Sequence, residues 1–425
     1  MIDIKRIRAE PDLVKAGCAK KRIECDIDRI LELDATFLGL SPKIDELRSQ
    51  QKLGSKEMSK ATPERRVEIL EEQRGLKEQL RALEAEMTAC QEQLQPLLLT
   101  VPNLPAEAVP EGVDDQDNVE LKKWGTPRSF DFAPRDHVEI GEAQGWLDAE
   151  TAGRIAGSRN YISMGELARL EHAVLRFALD MMIDRGFSPA IVPVLVRAEP
   201  LWGTGYFPGG GDQIYHTDDR DDLYLVGTAE VPLTSIHAEK IHDIKNLPIK
   251  LVAHSTCYRR EAGTYGKDTR GLYRVHQFQK VEQVVIDISD EKRSLEHHHM
   301  ILQNAEDLLQ AFDLPYRVVN VCGGDLGAPQ VQKFDVETWM PSRDGYGETH
   351  SASRFHEYQA RRLKMRYRDK EGKVHFCHTL NNTVAASSRI LIALLENHQL
   401  EDGRVAIPEP LRKHMGGLEV IGKSL

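Results

Sequence analysis

Between residues 257 and 282 the chain reads Cys257-Tyr258-Arg259-Arg260-Glu261, then a glycine- and charge-rich loop, then Val275-His276-Gln277-Phe278-Gln279-Lys280-Val281-Glu282. An Arg-x-Glu on one strand, with an aromatic and a second carboxylate on the returning strand, presents guanidinium, carboxylate and ring to one small ligand. That set suits a nucleotide: Arg offers a fork to phosphate or carboxylate oxygens, Phe a stacking face, and Glu an acceptor for an amine. A surface ladder of salt bridges would explain one Arg and one Glu, but not the whole pattern. Other stretches carry less. No GxxxxGK[ST] occurs, which excludes a P-loop. The glycine-rich run Trp202 to Gly211 neither follows a clear strand nor opens a helix and reads as a mobile surface loop. Adjacent His297, His298 and His299 would point in different directions on a helix, so a metal tract is not expected there.

The elements that must position these residues fall into two parts. Ile23, Ile27, Ile30, Leu33, Phe37, Leu40, Ile44 and Leu47 recur at helical spacing, and Leu76, Leu80, Leu83, Met87, Cys90, Leu94 and Leu97 keep the seven-residue repeat of a coiled coil. Thr62 is a natural N-cap with Pro63 at the first helical position, so the chain turns in the Gly54 to Pro63 stretch and runs back as an antiparallel helical hairpin. A second helix ending at Leu99 would be roughly 55 Å long and should project into solvent. Pro42 is expected to kink the first helix or restart it after Ser41. Residues 101–118 carry three prolines and five acids and read as a linker. The expected division is a helical arm over 1–100, a linker over 101–120 and a body over 121–425. In the body, Met164 to Met182 reads as a helix. Strands are expected at Ala190–Val196, Leu223–Val226, Leu251–Cys257, Phe278–Ile288, Tyr316–Val321 and Phe334–Trp339, with a hairpin over Met365–Phe376. Strands without a helix after each one indicate α+β with a mainly antiparallel sheet flanked by helices.

With these residues in place, the whole chain resembles a bacterial-type seryl-tRNA synthetase, a class II aminoacyl-tRNA synthetase. Arg185-Gly186-Phe187 leading to Pro193 resembles motif 1, which in the family lies at the dimer interface; Arg259 to Glu282 resembles motif 2. Leu380 to Arg389, opening a helix through His398, resembles motif 3 in its seryl variant, without the usual glycines. Thr228-Ala229-Glu230 and Glu348-Thr349-His350-Ser351 stand in the family's order. The resemblance implies activation of serine by ATP and transfer to tRNA. It assigns Arg259 and Arg389 to catalysis, and Thr228, Ala229, Glu230, Arg259, Glu282 and Thr383 to serine. It assigns Arg259, Arg260, Glu261, Val275, Phe278, Glu348, Thr349, His350, Ser351 and Arg389 to ATP, and Glu348 and Ser351 to magnesium. It further implies tRNA(Ser) and tRNA(Sec) as partners and a homodimer; no zinc is expected, because the cysteines form no CxxC pair. Two rivals stay open at this point: a class II paralogue that loads a protein carrier, which would lack the arm, and a scaffold, which would have no reason to keep these residues together.

Composition bounds the reading. The 425 residues carry a net charge of -11 with a pI near 5.9, which excludes a uniformly basic nucleic-acid coat. Charge is nevertheless local: residues 43–66, around the arm's tip, hold 7 basic against 4 acidic side chains, and Arg259 to Arg274 holds five against two. Six scattered cysteines without a CxxC pair point to reduced thiols in the cytoplasm. The longest apolar run, Ile390 to Leu395, is too short to span a bilayer, so no membrane role is expected.

Overall fold

A computed structural model describes residues 1–263 and 270–425, in two compact units, Met1–Pro102 and Asn103–Leu425. In the first unit, short helices α1 (Ile4–Ala9) and α2 (Pro11–Lys20) precede the long pair α3 (Ile27–Met58) and α4 (Pro63–Thr100). Asp26 caps α3 through the Arg29 amide, and the Thr62 hydroxyl caps α4 through the Arg65 amide with Pro63 behind it. The turn is shorter than the sequence suggested, because Gly54 to Met58 remain helical and only Ser59 to Thr62 reverse the chain. Helix α3 also runs through Pro42 without restarting. Ile27, Ile30, Leu33, Leu40 and Ile44 are buried against Ile69, Cys90, Leu94 and Leu98. The remaining positions of the α4 stripe are half-buried, as a two-stranded seam allows.

The second unit is built on eight strands. They are β1 (Val119–Trp124), β2 (Ser188–Pro189), β3 (Ile249–Tyr258), β4 (Gln277–Asp287), β5 (Tyr316–Asn320), β6 (Gln332–Met340), β7 (Gly345–His356) and β8 (His378–Ala386), ordered β1-β5-β6-β7-β8-β4-β3-β2. Every neighbouring pair is antiparallel except β2 with β3. Strands β7 and β8 were not foreseen. Polar residues crowd both, and the segment read as opening a helix at Leu380 is a strand as far as Ala386 before α7 (Ser387–Asn397) begins. The expected strand over 190–196 shrinks to two residues, Leu195–Val196.

One face of the sheet makes the core. Val252, Val281, Val285, Phe334, Val336, Ala352, Leu380 and Val384 pack with Leu167, Leu170, Val174 and Met182 of α5 (Gly165–Asp184), Ile301 and Leu308 of α6 (Glu291–Ala311), and Ile390 to Leu395 of α7. Burial on this scale is the main driving force for folding, at about 25 cal/mol per Å² of apolar surface. Residues 103–118 lie on this unit: Asn103 donates to the Pro329 and Phe355 carbonyls, and Val109 is buried beside Val321 and Leu326. Among the described residues no helix is long and apolar enough to cross a membrane.

Candidate active site

The opposite face of the sheet is apolar at one end, where Leu251, Val284 and Ile286 pack with Leu233 and Met365, and polar beyond it, and strand register decides which side chains reach the polar part. On β4, Phe278, Lys280 and Glu282 alternate onto one face, where they stand opposite Cys257, Ser255 and Ala253 of β3. Thr383 of β8 is registered with Glu282 and Ala386 with Lys280, a slip between Thr383 and Ala385 keeping both on that face. A second bulge does the same on β7. Glu337 pairs with Glu348 and Asp335 with Ser351, so one extra residue at Thr349 brings Glu348 and Ser351 to the same side although they are three apart. Without the bulge, simple alternation would send them to opposite faces.

Within this polar part lies a buried cluster of polar side chains. Thr228, Glu230, Lys280, Glu282 and Thr383 are each no more than 7% exposed. The Lys280 ammonium pairs closely with Glu282 and donates to the Thr228 hydroxyl at 2.7 Å. The Glu230 amide donates to the same oxygen (3.2 Å), which turns the Thr228 proton toward Glu282 (3.3 Å). Ala229, fully buried, leads into a short helix, Glu230–Ser235, which carries the second carboxylate. Glu230 accepts from the Tyr206 hydroxyl (3.0 Å) and from the Gln359 amide (2.7 Å). Burial, then the charge of Glu282, raises the Glu230 carboxyl to about 7. Burial and the Glu230 charge likewise hold the Tyr206 hydroxyl well above its ordinary range.

Toward the other end come the arginines. The Arg259 amide donates to the His276 carbonyl, its Nε donates to the Gly227 carbonyl at 3.4 Å, and its guanidinium lies 5.3 Å from the Phe278 ring centroid. Arg274 pairs with Glu261 at 3.4 Å, Val275 is buried, and Arg260 is exposed with its amide donating to the Gln213 carbonyl. Arg389, at the start of α7, donates to the Glu348 carbonyl (2.8 Å) and carboxylate (3.1 Å) and lies 4.5 Å from the Tyr273 ring centroid. Burial alone would raise Glu348; the charges of Arg389 and Lys333 and the Arg389 hydrogen bond outweigh it and bring the carboxyl down to about 2. The charge of Arg259 favours the ionised forms of both Glu348 and Tyr206.

Two residues of the expected set stay out of the cleft. His350 pairs with Val336 on the core side and its Nε2 lies 3.1 Å from the Val384 carbonyl, and the Thr349 hydroxyl lies 2.7 Å from that of Thr338. Lys267 and Asp268, part of the basic loop, lie outside the described residues. His297 faces Asp287 and His298 the Ala352 carbonyl. Lys280, Tyr206, Gln359 and Tyr273 were missed. Lys280 was legible, since it alternates with Phe278 and Glu282. Tyr206 sits in the glycine-rich run read as a surface loop, of which Trp202 to Thr204 in fact close a helix, Ala198–Thr204.

Arg259 and Glu261, expected on a strand, stand just past the end of β3 at Tyr258, Glu261 with a positive φ of 51°; that loop, the antiparallel sheet and an arginine-headed helix match a known core. Residues 215–398 match the tRNA synthetase class II core domain (G, H, P, S and T), and residues 1–105 match the Seryl-tRNA synthetase N-terminal domain. The second unit is thus a class II synthetase core. Over its full length the chain is 45% identical to the serine–tRNA ligase of Deinococcus radiodurans, covering 100% of this chain and 99% of that one. It is 43% identical to the serine–tRNA ligase of Thermobifida fusca, covering 98% of each. The crystal structure of seryl-tRNA synthetase from Pyrococcus horikoshii complexed with ATP superposes with a TM-score of 0.93 at 39% identity, covering 99% of both chains. The chain belongs to the seryl-tRNA synthetase family.

Proposed function

We propose that this chain activates L-serine with ATP to seryl-adenylate and transfers the seryl group to tRNA(Ser), with tRNA(Sec) as a second acceptor, working as a cytoplasmic homodimer. The observation that carries the reading is a buried cluster: two carboxylates beside a threonine hydroxyl, near an arginine that lies over a phenylalanine ring. Both hydroxyl and ammonium of serine are donors, so acceptors at Glu230 and Glu282 suit them. Thr228 is saturated by its three partners and acts by orienting Glu282; Thr383 stands beside Glu282 on the neighbouring strand. Such a site disfavours alanine, which leaves buried acceptors unpaired, and threonine, whose extra methyl lacks room.

No protein nucleophile is needed, because serine carboxylate and the terminal tRNA hydroxyl supply their own. The protein aligns them and stabilises charge at phosphorus. Arg259 would bridge the serine carboxylate and α-phosphate, Phe278 would stack on adenine with Glu261 and Val275 at its edge, and Arg389 would hold the γ-phosphate. The donor set fits magnesium: Glu348 stays ionised, Ser351 adds an oxygen on the same face, and both are hard ligands. When bound, the ion would neutralise phosphate charge. In the arm, Lys43, Lys52, Lys56, Lys60 and Arg66 make no ion pair among the described residues, whereas Arg65 is tied to Glu57, Glu68 and Glu72. Those free cations suit a tRNA backbone.

ATP/pyrophosphate exchange across a panel of amino acids tests the first step, and charging of tRNA(Ser) the second. Exchange with serine alone is expected. Exchange driven by another amino acid, or by none, overturns the assignment; exchange without transfer to tRNA leaves a carrier ligase instead.

A further inference from the structure

The Tyr273 ring has a second cation on it. The Arg343 guanidinium lies 3.7 Å from the ring centroid and that of Arg389 4.5 Å from it. Two guanidinium groups at those distances cannot share one face of the ring, so they bracket it. Arg343 comes from the turn between β6 and β7, is exposed, and was singled out by no motif. Two like charges across one ring repel, and the Glu348 carboxylate lies on Arg389. An anion of more than one charge arriving at this spot would be attracted by both.

The arrangement is held from behind. The Ser342 amide and hydroxyl donate to the Glu396 carboxylate at 2.9 and 2.8 Å. The same carboxylate lies 2.7 Å from His137 Nδ1 and accepts from the His137 amide at 3.1 Å. His137 Nε2 in turn accepts from the Leu272 amide at 3.1 Å. Glu396 is wholly buried and stands two turns beyond Arg389 on α7. One buried carboxylate thereby fastens the turn that carries Arg343, the strand entry that carries Tyr273 and the helix that carries Arg389. Gly271 permits this, since a Cβ there would lie 2.1 Å from His137 Nε2. Side chains fixed in this way lose little freedom on meeting a ligand.

We infer that Arg343 is a further phosphate-binding residue, pairing with Arg389 across Tyr273 to hold the terminal phosphates of ATP and the departing pyrophosphate. This rests on the cleft being the ATP site proposed above. Neither the adenine nor the α-phosphate end is involved, so the prediction separates ATP from AMP.

The test is calorimetric titration of the full-length protein and its Arg343→Ala variant with magnesium-ATP and with AMP, together with exchange kinetics at varied pyrophosphate. In Arg343→Ala, ATP affinity should fall about tenfold and the KM for pyrophosphate rise by a similar factor. AMP affinity should stay within twofold. Arg343→Lys, which keeps the charge and loses the flat stack, should fall between. Equal losses for ATP and AMP would show a merely structural role, and unchanged ATP affinity in Arg343→Ala would remove Arg343 from the site; either result overturns the inference while leaving the proposed activity standing. Wild-type protein that binds neither nucleotide overturns the activity and the inference together.

Discussion

Glu230→Gln should stabilise the fold and destroy the function, and the sign of the first effect should depend on pH. In the folded protein burial and the neighbouring Glu282 raise the Glu230 carboxyl from its ordinary 4.5 to about 7. Folding therefore takes up a proton here, and the stability this group contributes is fully present below pH 4.5 and lost as pH rises through 7. At about 1.4 kcal/mol per pH unit, keeping the carboxylate ionised at pH 8 costs the fold about 3 kcal/mol. Glutamine has no charge to desolvate. It faces two donors, the Tyr206 hydroxyl and the Gln359 amide, of which only the hydroxyl can rotate to accept, so about 1 kcal/mol of hydrogen bonding is lost in return. The net expectation is a gain of about 2 kcal/mol at pH 8, a rise in Tm on the order of 4 °C, and no gain at pH 5. Serine-dependent pyrophosphate exchange should fall at least a hundredfold, because the ammonium or hydroxyl loses its charged acceptor. In wild type, KM for serine should rise as pH falls below 7, where the carboxyl takes a proton. Thermal melts at the two pH values and exchange assays of both proteins measure all of this. The same Tm change at pH 5 and pH 8, or exchange within tenfold of wild type, refutes the reasoning.

Glu282→Gln should lower serine-dependent exchange more than tenfold, and Glu282→Ala should in addition destabilise the protein by about 3 kcal/mol, since it leaves Lys280 buried without its counter-ion; a melt that matches wild type refutes the latter. Replacing Ile27 to Leu99 by a short linker should leave exchange within about threefold of wild type and abolish tRNA charging, and equal loss of both would show the arm to be needed for the fold of the core. Gly271→Ala should cost at least about 2 kcal/mol in a denaturant melt, because its φ of +80° is strained for a side chain and the new methyl strikes His137. Gly157→Ala, with open space around it but at φ +86° and ψ -176°, a conformation essentially confined to glycine, should cost about 2 kcal/mol from backbone strain alone.

Much of the protein was legible without coordinates wherever the information is local. A helix stripe, an N-cap followed by proline, or an Arg-x-Glu with a returning aromatic and carboxylate is written within a few neighbouring residues, and the arm and the Arg259 to Glu282 segment were readable for that reason, whereas the acids at 230 and 348 were named by family resemblance alone. The alternation of Phe278, Lys280 and Glu282 is equally local and puts Lys280 on the face of the other two. Strands β7 and β8 escaped because they are buried on both faces by polar contacts, so no alternation of apolar and polar residues announces them.

What only the tertiary structure decided is which side of a strand a residue takes and what it meets there. The one-residue bulge at Thr349 turns Glu348 and Ser351 to one face and leaves Thr349 and His350 in the sheet, and the sequence carries no mark of it. The approach of Tyr206 and Gln359 to Glu230, and of Arg343 to Tyr273, joins segments separated by 24 to more than 120 residues. Residue types and local periodicity determined what chemistry this chain could hold; the sheet's register and the buried charges behind it determined where that chemistry converges, because proximity across such distances is a property of packing and not of spacing along the chain.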